Sequence, residues 1–224
     1  KFFKTKKKGK NCCAKRGCND CKVWCHIYSI TQAWCILKVS YYSIYLPMNS
    51  LEEILQKYPD VDINRSGGTD SFQEGLPIVE RNPIAVVIKH PEQNMYLLAH
   101  WVASAWTGFL TGGIEEGDTL EQTVVKEIAE ETGYTNVASI IKTDCVAHGL
   151  FFHPIKNVNR LAHYHLVFAQ LGSLEQISVS DEEKKIANFE WHQEAEVLDL
   201  LTRNDMKILW KYYVGNKNSL NSAR

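Results

Sequence analysis

The middle of the chain alternates short apolar runs with turn-forming residues. Residues 84–89 are apolar and β-branched, and residues 95–100 form a second run after the polar turn at 91–94, which predicts two strands. A third run, 106–111, leads into a glycine-rich loop. Later apolar runs predict three further strands, at 137–150, 161–171 and 189–192.

Helical signals surround and follow this loop. Thr119 and Gln122 have the spacing of a capping box at the start of a helix, and Gly133 can end that helix in a left-handed conformation. Ser50 and Glu53 form a second capping box. Three more helices are predicted at 51–58, 195–201 and 205–214, the last with Met206, Leu209, Trp210 and Tyr213 on one face.

The order of these elements predicts the fold class. Strands come first and are followed by mixed strands and helices, so helices are available to cover both faces of one sheet. We therefore predict an α+β protein, an α/β/α sandwich on a mixed β-sheet.

Charge and cysteine content divide the chain in two. Residues 1–47 hold 10 of the 25 Lys and Arg, one of the 26 Asp and Glu, and six of the seven cysteines. The remainder therefore has 15 basic and 25 acidic groups. Such an acidic domain repels polyphosphates unless a cation mediates, which argues against broad nucleic-acid binding.

Four parts are expected from these patterns. Residues 1–47 are interpreted as a basic, cysteine-rich leader that is non-native or disordered, because the chain lacks an initial Met and a clean start occurs at Met48. A short helix and flexible lead-in (48–78), the main domain (79–216) and a tail (217–224) follow. No convincing signal peptide or membrane span is recognised, so a cytoplasmic location is expected.

Other interpretations of the leader stay open. Its cysteines with His26 offer zinc ligands, since Cys18 and Cys21 have half-site spacing, although the other spacings are cramped. A disulfide framework would require an oxidising compartment, which the single Cys145 of the main domain does not suggest.

Glu127, Glu130 and Glu131 lie at offsets of zero, three and four, which places them on one side of a helix. Like charges at this spacing repel by roughly 0.2–0.5 kcal/mol per pair at a surface, so a hard cation such as Mg²⁺ or Mn²⁺ would stabilise them. The alternative is a solvated acidic face. Glu131 overlaps the edge of the apolar stripe, so partial shielding from water is expected.

This stretch resembles the Nudix box, G-x5-E-x7-R-E-U-x-E-E-x-G-U, in which U is apolar. Gly112 is followed after five residues by Asp118 and, after seven more, by KEIAEETGY ending at Tyr134. Asp118 stands where the family has Glu, and Lys126 where it has Arg. In the family these two positions brace the loop, and Lys cannot reproduce a bidentate guanidinium contact.

The resemblance implies Mg²⁺-dependent hydrolysis of a nucleoside diphosphate linked to another group. By position, the three glutamates would be catalytic and bind metal, with the carbonyl of Thr111 or Gly112 as a further ligand, and Asp118, Lys126 and Gly133 as support. The acidic run 181–183 is either a solvated loop or the source of a general base. A catalytically silent module that binds a nucleotide or an RNA end is the alternative function.

Substrate residues are less well marked. Trp106, together with Trp101 and Tyr96, is predicted either to stack on a base or to belong to the core. Lys156 and Arg160 are cations placed to bind a phosphate or carboxylate. His163 and His165 share one face of a strand and either line a cleft or are solvated.

A narrower likeness concerns residues 79–83, 151–153 and 157–160, which look like Nudix modules attached to some bacterial leucyl-tRNA synthetases. It would make the ligand an adenylate or an RNA end. The expected partner is a small nucleotide, with no membrane; oligomeric state is not readable from the sequence.

Overall fold

The computed structural model describes residues 50–222, and within them nine strands form one mixed sheet. The strands are β1 (Asp62–Ile63), β2 (Ile78–Arg81), β3 (Pro83–Lys89), β4 (Met95–Trp101), β5 (Trp106–Gly108), β6 (Leu110–Gly113), β7 (Val137–His153), β8 (Val158–Leu171) and β9 (Ala187–Gln193). The α-helices are α1 (Leu51–Lys57), α2 (Leu120–Glu127), α3 (Glu183–Ile186), α4 (Glu194–Leu200) and α5 (Asn204–Ser222).

Strand β8 is central to the sheet. It pairs antiparallel with β7 along most of its length, and its other edge is shared by β2 and then β3, both parallel to it. Strand β3 also pairs antiparallel with β4 and with β6. Strand β4 in turn pairs antiparallel with β5 and β9. The mixture of parallel and antiparallel pairs agrees with the predicted mixed sheet.

Alternate strand residues build an apolar core on each face of this sheet. On one face Tyr96 and Phe168 pack with Trp210 of α5, and α4 contributes Val197. On the other face, strand residues including Ile84 pack with residues of α2. Helices therefore cover both faces, and the predicted α/β/α sandwich is confirmed.

Helix α1 and the segment after it pack on the β7–β8 end of the sheet. The Ser50 hydroxyl accepts a hydrogen bond from the Glu53 backbone N–H, and Ile54 is buried with Leu150 and Leu161. Residues 60–78, expected to be a flexible lead-in, instead pair with β7 through β1 and hydrogen-bond to it. Apolar residues such as Val61 and Phe72 pack on this cluster, a burial that the local glycines concealed.

The predicted elements are found near their predicted positions, and several of them are longer than predicted. The predicted strands are all present, and β7 and β8 extend towards each other until only residues 154–157 separate them. Helix α5 continues to Ser222, so the expected tail is helical over 217–222, where Lys217 forms an ion pair with Glu194. The predicted leader, 1–47, and its zinc and disulfide interpretations lie outside the described residues.

No helix among residues 50–222 is long and apolar enough to cross a membrane.

Candidate active site

Helix α2 begins at a complete capping box, as predicted. The Thr119 hydroxyl accepts from the Gln122 N–H at 3.2 Å, and Gln122 Oε1 accepts from the Thr119 N–H at 2.8 Å. Val124 is fully buried on the inner side of the helix, whereas the next apolar residue, Val125, is 41% exposed. The buried stripe of the helix is therefore narrow, and Glu127 at its border is half-buried.

The helix continues as a π-helical turn over Ile128–Thr132, which contains Glu130 and Glu131. Such wide turns are rare and occur frequently at functional sites. The turn ends at Gly133, whose φ of 79° is left-handed, as predicted. A Cβ at this position would lie 2.5 Å from the carbonyl oxygen of Ile177, so both conformation and space require glycine.

Gly112 lets the helix approach strand β6. A Cβ at Gly112 would lie 2.5 Å from both the Cδ and Oε1 atoms of Glu127, whereas a Cβ at Gly113 would meet nothing within 4 Å. The carboxyl group of Glu127 therefore rests on the backbone of β6. This proximity is what the predicted ligand role of Gly112 requires.

The buried carboxyl groups have perturbed acidities. Burial raises the pKa of Glu131 to about 8, and the charges of Glu127 and Glu183 contribute further. Burial also raises the pKa of Glu127, with repulsion from Glu130 as the next cause. Glu131 is half-buried, which confirms its predicted shielding, and Glu130 is exposed.

These acidities test whether the residues fit a cation. The charge of Glu127 raises the pKa of the neighbouring Glu131, so a positive ion between these two carboxyl groups would be favourable. Within residues 50–222, the three glutamates do not all have oxygens within 4.8 Å of one another. A divalent ion with oxygen ligands would relieve the repulsion among these carboxyl groups, so their chemistry fits such an ion once the side chains close around it.

The loop before α2 is braced by an unpredicted residue. Lys126 Nζ lies 2.7 Å from Glu115 Oε2, and the Asp118 N–H donates to the Glu115 carbonyl at 3.1 Å. Glu115 is thus the ion-pair partner of Lys126, while Asp118 acts on Lys126 only through its charge. The sequence could not identify Glu115 as the partner of Lys126, because the path of the loop determines which carboxylate reaches the lysine.

The acidic run 181–183 is divided by the structure. Asp181 is exposed and pairs with Lys184 at 3.5 Å, as expected for a solvated loop. Glu183, at the start of α3, is half-buried and its charge raises the pKa of Glu131. A cavity of about 200 Å³ beside Glu131 is lined by Lys184 and Asn188, so this segment borders the candidate site.

A larger cleft of about 360 Å³ lies on the face covered by α5. Trp106 and Arg160 line it, as does Thr111, the neighbour of Gly112. Arg203, which the sequence did not single out, stacks over Trp106 with its guanidinium 4.4 Å from the ring centroid. Trp106 is therefore part of the cleft, and the cleft and the carboxylates are neighbours along β6.

Several predicted substrate residues lie elsewhere. His163 shares a face of β8 with His165, as predicted, but it is buried on the side opposite the cleft and bonded to Glu80 at 2.7 Å. Lys156 is exposed in the turn between β7 and β8 and does not line the cleft. Tyr96 is a fully buried core residue, hydrogen-bonded to Tyr213 and to Glu194.

A family model described as the NUDIX domain matches residues 80–212. Among solved structures, the chain is similar to the Escherichia coli dihydroneopterin triphosphate pyrophosphohydrolase, with 17% identity, a TM-score of 0.47, and coverage of 60% of this chain and 95% of that chain. The NUDIX domain of Shewanella oneidensis NrtR, complexed with ADP ribose, is 18% identical with a TM-score of 0.46, covering 75% and 98% respectively.

A MutT protein from Bacillus halodurans is 23% identical, with a TM-score of 0.45 and coverage of 58% of this chain and 80% of that chain. No curated protein matches the chain significantly.

Proposed function

Because the chain belongs to the NUDIX domain family, we propose that it is a Mg²⁺-dependent hydrolase that cleaves the phosphoanhydride of a nucleoside diphosphate linked to another group. The observation that carries this proposal is the half-buried pair Glu127 and Glu131, of which Glu127 lies against Gly112. Two carboxyl groups in a partly dry site are costly unless a cation compensates their charge.

The proposed cation site uses oxygen ligands alone. Glu127, Glu130, Glu131 and the backbone carbonyl of Gly112 would hold Mg²⁺, or Mn²⁺ in its place, since hard cations prefer such ligands. When bound, the cation would neutralise charge on the phosphate oxygens and activate a water near neutral pH. Gly112 leaves room for the Glu127 carboxyl group, and the Lys126–Glu115 pair ties the preceding loop to α2.

Glu183 supports a role for a second element in proton transfer. It approaches Glu131 from outside the glutamate helix, and both side chains are half-buried. We propose Glu183 as the proton acceptor for the attacking water, because it reaches the site from a separate element and is not one of the proposed metal ligands.

The cleft beside Thr111 is proposed to hold the nucleoside. Trp106 offers an aromatic face, and Trp101 and Phe151 extend the apolar lining. Arg160 is the cation proposed to orient a phosphate or carboxylate, since the Arg203 guanidinium is engaged by Asp205 at 2.7 Å. A volume of about 360 Å³ suits one small ligand.

The test is incubation with Mg²⁺ of a panel of nucleoside triphosphates, ADP-ribose, dinucleoside polyphosphates, NADH and nucleotide sugars, followed by chromatographic separation of the nucleotide products. Hydrolysis of at least one compound is expected, and chelation of Mg²⁺ should abolish it. Glu131→Gln should reduce turnover to below a tenth of the wild-type rate without loss of folding. Glu121→Gln, at an exposed acidic position on the same helix, is the matched control and should retain activity.

The silent binding module is the competing outcome of this assay. It is favoured by Lys126, which pairs with the loop through one ammonium group where the family pattern has a bidentate arginine. Nucleotide binding in the cleft, lost in Trp106→Ala, with no Mg²⁺-dependent hydrolysis of any panel compound, would overturn the enzyme proposal.

A further inference from the structure

Two histidines and a glutamate meet on strands β4 and β9, on the sheet face opposite α2. His100 Nε2 and His192 Nε2 are 3.3 Å apart, and Glu190 Oε2 is 3.9 Å from each of them. Glu190 and His192 are alternate residues of β9, so they share a face. Within residues 50–222, this is the group of three potential ligands whose atoms all lie within 4.8 Å of one another.

The separation of the imidazoles fits a tetrahedral ion. Zinc binds histidine nitrogen at about 2.0–2.1 Å, which places two tetrahedral ligands about 3.3–3.4 Å apart. The distance of 3.3 Å between His100 and His192 has this value. Glu190 needs to shift by about half an ångström to complete such a site. Its side chain is 64% exposed, so it is free of close packing and can make this shift.

Thr107 supplies a second contact typical of metal-binding histidines. His100 Nδ1 lies 3.0 Å from Thr107 Oγ1, across the β4–β5 pair. When Nδ1 donates to this hydroxyl, Nε2 carries its lone pair and points into the group. Ligating histidines usually donate their other N–H in this way, which fixes the tautomer and the ring orientation.

We propose that His100, His192 and Glu190 bind one Zn²⁺ or similar first-row transition-metal ion, with water in the remaining position. Imidazole nitrogen suits Zn²⁺, Ni²⁺ and Cu²⁺, whereas Mg²⁺ prefers oxygen ligands. The site is therefore chemically distinct from the glutamates of α2 and of the π-helical turn that follows it. The ion would join β4 to β9 through side chains in addition to their backbone hydrogen bonds.

The proposal is tested by titrating Zn²⁺ into the full chain in excess Mg²⁺ and measuring stoichiometry by calorimetry. The double variant His100→Asn/His192→Asn should bind one equivalent fewer than the wild type. Cysteines of residues 1–47 are present in both proteins, so their zinc binding cancels in the comparison. With Co²⁺ as the probe, the difference spectrum between the two proteins should lack thiolate charge-transfer absorption, since no cysteine belongs to the proposed site.

His165→Asn is the matched control, because it removes a half-buried histidine from β8 and should keep the equivalent. Thr107→Val keeps all three ligands and should weaken zinc affinity by about 10–100-fold. This variant also decides the matter if the double variant fails to fold. Equal stoichiometry in wild type and folded double variant, or unchanged affinity in Thr107→Val, would overturn the proposal.

Discussion

At the scale of the residue, Gly112 and Gly113 differ in whether a Cβ atom could be accommodated. The two glycines are adjacent in β6, yet a Cβ at the first would lie 2.5 Å from the Glu127 carboxyl group and a Cβ at the second would lie in open space. We therefore expect Gly112→Ala to displace Glu127 and lower Mg²⁺-dependent kcat/KM by about a hundredfold, the cost of a misplacement near 1 Å. Steady-state kinetics on the substrate identified by the panel measure this effect.

Gly113→Ala is the control, since it adds the same methyl group to the same strand. It should leave kcat/KM within a few-fold of wild type. Equal losses in the two variants would mean that the glycines act through backbone conformation rather than through room for Glu127.

Local sequence carried part of the information about individual site residues. Helical spacing located Glu131 at the edge of the apolar stripe, and its burial agrees. The half-burial of Glu127 depends on a distant strand, since β6 covers it, and no helical pattern contains that contact. The ion-pair partner of Lys126 could likewise not be predicted from the sequence, because Glu115 and Asp118 both carry a carboxylate and the path of the loop determines which one contacts the lysine.

At the scale of the element, strands β7 and β8 share a pair of histidines, the half-buried His148 and the buried His163. His148 Nδ1 lies 2.7 Å from His163 Nδ1, and His163 Nε2 donates to Glu80. Burial lowers the pKa of both histidines, although the charge of Glu80 opposes the shift, as does that of Asp60 on His148. The folded protein therefore resists protonation of this pair.

A depressed histidine pKa makes stability depend on pH. The unfolded chain binds protons below its pKa of about 6.5, so stability present above that pH is lost as the pH falls towards the folded-state pKa. We expect His148→Gln to lose less free energy of unfolding than the wild type between pH 7.5 and 5.5. Urea unfolding at both pH values measures the difference.

The raised pKa of Glu131 contributes a pH dependence of stability of the opposite sign, because here the folded state binds the extra proton. Wild type and His148→Gln share this contribution, so it cancels when their pH profiles are compared. Parallel pH profiles for wild type and His148→Gln would contradict the role assigned to the histidine pair.

Helix α5 is anchored at its start by a buried ion pair. Arg203 and Asp205 form a bidentate contact, and Gly149 of β7 provides the space for it, since a Cβ there would lie 2.2 Å from Asp205 Oδ2. Gly149→Ala should therefore lower the free energy of unfolding by about 1–3 kcal/mol through overpacking. Chemical denaturation provides the measurement.

Gly215→Ala gives a comparison within α5, where the added methyl group meets nothing within 4 Å. This exposed helical position should gain about 0.5–1 kcal/mol in the free energy of unfolding. If Gly149→Ala lowers the free energy of unfolding by no more than the experimental error, the Arg203–Asp205 pair can shift to make room for the methyl group.

At the scale of the whole molecule, periodicity and turn residues predicted most elements but not β1, β2 or α3, and the sandwich was predicted from their order together with the family resemblance. They failed where burial comes from residues far apart in the chain. Residues 60–78 contain glycines and polar residues typical of a flexible segment, yet β1 pairs with Gly149 and Leu150 of β7. His163 is a second example. Alternation along β8 predicted that it shares a face with His165, but could not show that the cleft lies on the opposite face of the sheet.

The position of β8 has a consequence for how the chain is made. Ile78 pairs with Asn159 and Ile84 with His165, each pair 81 residues apart. Local partners let β3 join β4 and β6 early, but β2 has to wait until β8 has left the ribosome. Closing such long loops is entropically costly and slow. Between the emergence of β2 and that of β8, the nascent chain therefore carries an unpaired strand edge, which is the kind of surface that chaperones shield from aggregation.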